Sequence, residues 1–167
     1  MTEADVDAVS AIRVRGWQSA YAGIIPETYL NEMTIAADAN RRRAWFTSSR
    51  GQVMDVVAVD AHESAVGWVS FGPYRGETDA PNPGEVYALY VDPKSIGQGI
   101  GRALLNAAHN HTVSQGFSTM QLWVLRDNLR ARVFYAAADY APDGAVQTDM
   151  YGETEVTELR YRRQMSR

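Results

Sequence analysis

The sequence contains no cysteine, which excludes disulfides, thiolate metal sites and cysteine nucleophiles. It also lacks long apolar runs: no stretch approaches the ~20 apolar residues that span a bilayer. A basic start followed by an apolar run, the mark of a secretory signal peptide, is missing too. We therefore expect a cytoplasmic protein that does not insert into a membrane.

Positive charge is scarce as well. Lys94 is the only lysine, and 16 basic against 20 acidic residues leave a formal net charge of −4. Broad nucleic-acid binding through counterion release needs a basic surface, so the composition argues against a nucleic-acid partner. Arginine supplies the other basic residues, and its planar guanidinium suits phosphate, although a base-composition bias in the genome explains their number equally simply.

The 167 residues, 46% of them hydrophobic, fit one compact mixed α/β domain over residues 1–167. Apolar periodicity and turn residues predict the order of elements. Helices are predicted from about Val6 to Tyr21, over Glu27–Trp45 with a division near Thr34, over Gly99–Gln115 and over Asn128–Ala138. Strands are predicted at Val53–Val59, Ala65–Phe71, Glu85–Val91, Thr119–Leu125, Ala145–Met150 and Glu155–Arg163, with a mobile loop at Pro73–Gly84.

A glycine-punctuated turn between a strand and a helix is the strongest local signal. Gly97, Gly99 and Gly101 let backbone N–H groups converge where a helix begins, an arrangement suited to a phosphate. A Walker loop is excluded because Arg102-Ala103 follows Gly101 in place of Lys-Ser/Thr. The dinucleotide fingerprint fails because its last glycine would fall on Arg102 or Leu104.

Two segments resemble the GNAT-type N-acetyltransferase superfamily. Leu89-Tyr90-Val91-Asp92-Pro93 and the following glycine turn are similar to its acyl-CoA motif, Arg/Gln-x-x-Gly-x-Gly/Ala, in which Ile96 replaces the first residue. Asn128, Ala131, Phe134 and Tyr135 match its Asn-x-x-Ala-x-x-Phe-Tyr helix. A third set resembles one bacterial subgroup: Trp17, Tyr21, Gly23-Ile24-Ile25-Pro26, Tyr29 and Leu30.

The resemblance implies a three-layer α/β fold with helices on both faces of a mixed, mostly antiparallel sheet, which splays between two parallel strands. Family members begin with a short strand, whereas here Met1 lies almost at the first helix cap. We expect that first edge strand to be missing, unless the chain start is shortened. Val53–Val59 would then be an exposed edge or be covered by a partner.

The implied reaction is transfer of an acetyl group from acetyl-CoA to a primary amine by direct attack. Tyr135 would be the general acid, unless it is simply a packed aromatic. Glu85 would be the base, directly or through a water, unless it is a solvated carboxylate. The implied cofactor-binding residues are Leu89, Tyr90, Val91, Gly97, Gln98, Gly99, Ile100, Gly101, Arg102, Asn128 and Arg132, with Arg130 a further phosphate candidate.

The acceptor, a small-molecule, peptide or protein amine, would be bound by residues of the first helices, the Glu85 strand and the last hairpin. The candidates are Trp17, Tyr21, Ile24, Phe71, Tyr74, Tyr151 and Glu153. No metal is expected, because His109 and His111 point apart on a helix; His109 should face solvent. A homodimer is possible. The alternatives are a non-catalytic acyl-CoA-binding sensor on the same fold and a phosphate-loop nucleotide binder.

Overall fold

The computed structural model describes residues 1–48, 53–78 and 80–165. The helices are α1 (Val6–Ala20), α2 (Glu27–Glu32), α3 (Ile35–Ser48), α4 (Ile100–Ser114) and α5 (Leu129–Ala136). The strands are β1 (Met54–Val59), β2 (Ala65–Pro73), β3 (Pro83–Val91), β4 (Thr119–Leu125), β5 (Ala141–Tyr151) and β6 (Thr154–Gln164). The predicted order of elements is confirmed.

The described strands form one sheet in the order β1-β2-β3-β4-β6-β5. Its neighbours are antiparallel except β3 and β4, which are parallel. The parallel pairing is short, because only Pro83–Glu85 and Thr119–Gln121 are in register. Beyond these residues the two strands separate. This confirms the prediction that the sheet splays between two parallel strands.

Helices cover both faces of the sheet. On one face Gly16 of α1 lies so close to Tyr90 of β3 that an added Cβ would come within 2.8 Å of its ring. On the other face Leu104 and Leu105 of α4 are buried in a core with apolar residues of β2, β3 and β4. Gly116 at φ +76° follows the last turn of α4, a conformation that glycine adopts without strain.

The ends of several elements differ from the prediction. The break near Thr34 is confirmed, and the Thr34 hydroxyl accepts a hydrogen bond from the Ala37 N–H at 3.2 Å, which caps α3. β2 and β3 reach into the predicted loop because the Tyr74 N–H donates to the Pro83 carbonyl at 2.9 Å. β5 begins four residues early, at Ala141.

The edge prediction for β1 is confirmed, since among the described residues β1 pairs with β2 alone. The Met1 amine donates to the Asp55 carbonyl of this strand at 3.0 Å. No strand of the sheet lies within residues 1–48. Within the described ranges, no helix has the length and apolar character needed to cross a bilayer.

The expectation that His109 faces solvent is wrong: the residue is only 6% exposed. Its Nε2 lies 2.8 Å from the Tyr140 hydroxyl, and Arg163 donates to its Nδ1 at 2.9 Å. With both ring nitrogens bonded, an imidazole can be buried at little cost. Helical spacing alone could not show that two distant residues would supply these partners.

Candidate active site

A cavity of about 540 Å³ opens where β3 and β4 part. Its walls come from β3, β4, the end of α1, the glycine turn with the start of α4, and α5. Binding cavities for small molecules commonly have volumes of ~300–1,000 Å³. The cavity therefore has the size and position of a ligand site at the centre of the sheet.

A β-bulge shapes the inner part of the cavity. Ser70 and Phe71 are adjacent on β2, yet they pair with Ala88 and Val86 of β3. Tyr87 is therefore the extra residue, and it lines the cavity. Burial, and then the Glu85 charge, raises the pKa of Tyr87 to about 12. The bulge interrupts the ladder at a point where the backbone faces the cavity.

The glycine turn closes the outer end of the cavity. Gly97 and Gly99 have φ +88° and +82°, and a Cβ added at either would meet no atom within 4 Å. Gly99 is the N-cap of the 15-residue helix α4. The first N–H groups of a helix have no intrahelical acceptor and carry partial positive charge. The turn therefore offers an open, electropositive backbone surface to an anion.

Helix α5 brings Tyr135 to the cavity. Asn128 begins the helix, and its side chain accepts a hydrogen bond from the Ala131 N–H at 3.1 Å. Tyr135 lines the cavity, and within the described part of the chain its hydroxyl has no hydrogen-bond partner. Burial, and then the neighbouring Tyr90, raises the pKa of Tyr135. The phenol therefore stays protonated and free to donate.

Most of the predicted cofactor-binding residues lie together in the cavity wall: Leu89, Tyr90, Val91, Gly97, Gly99, Ile100, Gly101, Arg102 and Asn128. Arg130 and the divergent Ile96 lie there too. Gln98 is not in the lining. Arg132 is turned away, because it donates to the Tyr161 hydroxyl at 3.2 Å and to the Arg126 carbonyl at 2.8 Å.

The predicted acceptor-binding residues fall into separate groups. Trp17, Ile24 and Tyr151 pack around one apolar cluster with Tyr21, which also lines the cavity. The Tyr21 and Tyr90 hydroxyls are 3.1 Å apart, and burial raises the pKa of each. Phe71 lies instead in the core beneath α4, Tyr74 follows β2, and Glu153 is exposed in the last turn.

Glu85 lies at the last paired position of β3, where the strands begin to part. It is 3% exposed and is outside the cavity lining. Arg75 is its hydrogen-bond partner through three donors, the backbone N–H at 3.1 Å, Nε at 3.2 Å and Nη2 at 2.7 Å. The carboxylate is thus buried and already paired.

Three aromatic residues of the cavity wall were not among the predicted site residues: Tyr87, Trp123 and Phe134, the last noted only as part of the family helix motif. The alternation of side chains along β4 was a signal for Trp123, whereas the bulge hid Tyr87. No local pattern pointed to Arg75. Among the described residues, no group of three or more His, Cys, Asp or Glu is arranged to hold a metal ion.

Comparison with known proteins agrees with this geometry. The model of the acetyltransferase (GNAT) family matches residues 17–140. An uncharacterized N-acetyltransferase, YuaI of Bacillus subtilis, is 34% identical over 139 residues, which are 83% of this chain and 75% of that protein. A mycothiol acetyltransferase of Kocuria rhizophila is 36% identical over 98 residues, but these cover 59% of this chain and only 32% of that protein.

The fold is shared with solved structures. The PaiA N-acetyltransferase of Thermoplasma acidophilum, solved in complex with coenzyme A, superposes with a TM-score of 0.77 at 18% identity and covers 98% of this chain and 95% of that one. The family model and the Bacillus subtilis N-acetyltransferase identify the chain as an acyltransferase. With the family match over residues 17–140, the chain belongs to the acetyltransferase (GNAT) family.

Proposed function

We propose that this protein transfers the acetyl group of acetyl-CoA to a primary amine by direct attack in a ternary complex. The observation that carries the proposal is the continuous cavity from the parted strands to the glycine turn of α4. Such a cavity suits a long ligand with an anionic end. The family relationship makes acetyl-CoA the first candidate for that ligand.

The chain's residues fit acetyl-CoA. β3 pairs with β2 on one side, but beyond Glu85 it has no partner in β4, so backbone groups near Leu89 and Val91 are available to a pantetheine arm. The open N–H groups from Gly97 to Arg102 suit the pyrophosphate. The Arg102 and Arg130 side chains, both in the lining, would add phosphate contacts.

Tyr135 is our candidate for the general acid. Acetyl-CoA, when bound, supplies the thioester carbonyl that the amine attacks and the sulfur that leaves. A buried phenol with a raised pKa remains protonated, so Tyr135 has a proton for that sulfur. A backbone N–H near the bulge of β3 would stabilise negative charge on the carbonyl oxygen.

Glu85 is our candidate for the base that takes the proton of the acceptor amine, directly or through a water. It adjoins the cavity residues Val86 and Tyr87 and is shielded from bulk solvent. An ammonium cannot attack a carbonyl, so the acceptor must lose a proton near this point. Holding amine and thioester together contributes further, because positioning alone can be worth ~7–11 kcal/mol.

The proposal is tested by calorimetric titration with acetyl-CoA and then a thiol-release assay across a panel of amines. We expect saturable binding and thiol release that depends on the amine. Binding without release on any amine would favour the sensor instead. Binding of ATP more tightly than acetyl-CoA, or no binding of acetyl-CoA, would contradict the proposal.

A further inference from the structure

We propose that the acceptor is a zwitterion, an amine with a carboxylate close to it, as in a free amino acid. The Arg75–Glu85 ion pair would open to receive it, the ammonium on Glu85 and the carboxylate on Arg75. This inference rests on the proposed acetyl transfer and specifies its substrate class. It comes from the charged residues near Glu85, where β3 and β4 begin to part.

The two members of the ion pair differ sharply in their access to solvent. The Glu85 side chain is 4% exposed, whereas the Arg75 side chain, 2.7 Å away, is 59% exposed. A molecule that approaches Glu85 from solvent therefore meets the Arg75 guanidinium first. A buried carboxylate is costly to leave unpaired, so whatever displaces Arg75 must bring its own cation.

Two arginines also lie close to aromatic residues of the cavity lining. The guanidinium carbon of Arg75 lies 4.1 Å from the centre of the Tyr87 ring, and that of Arg160 lies 5.8 Å from the centre of the Trp123 ring. Tyr87 and Trp123 both line the cavity. Each guanidinium therefore lies close to an aromatic residue of the cavity lining.

A third guanidinium lies at the level of Glu85. Along one row of the sheet Glu85 is paired with Gln121 of β4, and Gln121 with Arg162 of β6. The Arg162 Nε is buried without a hydrogen-bond partner, and no acidic group within the described ranges pairs with this residue. Gln121 is fully buried with both amide atoms unpartnered. The row is therefore a mostly buried polar layer without a full set of hydrogen-bond partners.

The arginines near Glu85 differ in their partners. We call Arg75, Arg160 and Arg162 the arginine cluster; Glu85 pairs with Arg75, and Asp143 pairs with Arg160 at 2.8 Å. Glu158, two residues before Arg160 on β6, accepts a hydrogen bond from Gln147 at 2.5 Å and keeps its negative charge. The three guanidinium groups are therefore matched in number by three carboxylates, and a ligand without net charge keeps that balance.

A zwitterion is the acceptor that leaves both Arg75 and Glu85 paired. A simple amine would displace Arg75 from Glu85 and leave the Arg75 guanidinium without an anionic partner. An anion without an amine would give Glu85 no replacement cation. An amino acid exchanges one ion pair for two, and it places its nitrogen beside the proposed base. The guanidinium fork of arginine also matches a carboxylate with two parallel hydrogen bonds.

The experiment compares each of the twenty amino acids with its own carboxamide in the thiol-release assay with acetyl-CoA. The carboxamide keeps the amine and the size of the molecule but removes the negative charge. We expect at least one amino acid to be acetylated with a kcat/KM about 10- to 100-fold above that of its carboxamide, the usual effect of a charged hydrogen bond. The preference for the amino acid over its carboxamide should appear mainly as a lower KM.

The variant that tests the role of Arg75 is Arg75→Gln. It should lower kcat/KM for the amino acid by about 10- to 100-fold more than for the carboxamide, so that the preference disappears. Any effect of the unpaired Glu85 is common to both substrates and cancels in their ratio. Arg75→Lys should restore part of it. Arg41→Gln is the matched control, because the Arg41 side chain is 73% exposed on α3 and pairs with Asp38; it should leave both substrates unaffected.

Three outcomes would overturn the inference while the proposed function stands. The carboxamides could be acetylated as fast as the amino acids, or Arg75→Gln could lower kcat/KM equally for both. The enzyme could also acetylate only those amines that have no carboxylate. Binding of acetyl-CoA with no amino acid acetylated would also overturn it. Failure to bind acetyl-CoA would instead remove the proposed function, and the inference with it.

Discussion

At the scale of single residues, the polar groups in the interior of the protein differ in whether they already have a partner. Glu85 is held by Arg75, and both nitrogens of His109 are bonded. Tyr135 lines the cavity, and its hydroxyl has no hydrogen-bond partner in the described ranges. A group that must donate a proton to a ligand needs this freedom, and a group that supports the fold does not.

Removal of the Tyr135 hydroxyl should therefore affect chemistry and not binding. We expect Tyr135→Phe to lower kcat by about 10²- to 10⁴-fold, the usual contribution of a general acid. The dissociation constant for acetyl-CoA, measured by calorimetry, should change little because the phosphate contacts lie elsewhere. Full turnover in this variant would exclude Tyr135 as the acid.

The raised pKa of Tyr135 gives a second expectation for the wild type. Because burial keeps the phenol protonated above its ordinary value of 10.0, its loss of a proton should not limit kcat at or below pH 10. A pH profile measured over a range where circular dichroism shows the protein folded tests this. The expectation would be contradicted if kcat of the wild type fell as the pH rose toward 10 while the residual activity of Tyr135→Phe showed no such fall.

His109 should make stability depend on pH. Burial, and then the Arg163 charge, lowers the pKa of His109 from 6.5 to about 4. Between these values the unfolded chain binds a proton that the folded chain does not, so wild-type stability should fall as the pH drops from 6.5 to 4, by on the order of 3 kcal/mol. Urea unfolding of His109→Gln should show a shallower fall; an identical pH dependence would refute the assignment.

At the scale of elements, α4 shows how one helix serves both core and ligand. Leu104, Leu105 and Ala108 are buried against the sheet, while the glycine turn at its start faces the cavity. The packed face holds the first turn of the helix in place. We therefore expect the backbone of this turn, our proposed phosphate site, to be held in place before a ligand binds.

Two glycines of similar conformation at opposite ends of α4 separate binding from stability. Gly99 and Gly116 have φ +82° and +76°, and an added Cβ would meet nothing within 4 Å at either. We expect Gly99→Ala and Gly116→Ala each to destabilise the fold by about 1–2 kcal/mol through backbone strain. Only Gly99→Ala should also weaken acetyl-CoA binding. Equal affinities in calorimetry would argue against the glycine turn as the phosphate site.

At the scale of the whole molecule, the sheet consists of two parts joined by few residues. β1, β2 and β3 form one part, β4, β5 and β6 the other, and three registered pairs connect them. Beyond these pairs the backbone edges of β3 and β4 face the cavity. A ligand inserted there would connect the two parts of the sheet.

Acetyl-CoA should therefore protect both edges from hydrogen exchange. We expect slower exchange in peptides over residues 86–91 and 122–125, while β1 at the far edge stays unchanged and serves as the internal reference. At 100 times its dissociation constant the ligand should stabilise the protein by about 2.7 kcal/mol, which a thermal melt would detect. Protection confined to the glycine turn would show that the ligand does not enter between the strands.

The sequence by itself determined the order of elements, the glycine turn, the capped helix with Tyr135 and the family, because each depends on local periodicity, backbone conformation or adjacent residues. Only the tertiary structure decided what distant residues do to one another. Arg75 meets Glu85 across the β2–β3 loop, Tyr87 reaches the cavity through a bulge, and His109 is buried between Tyr140 and Arg163. Such contacts depend on strand register and packing, which no local pattern encodes.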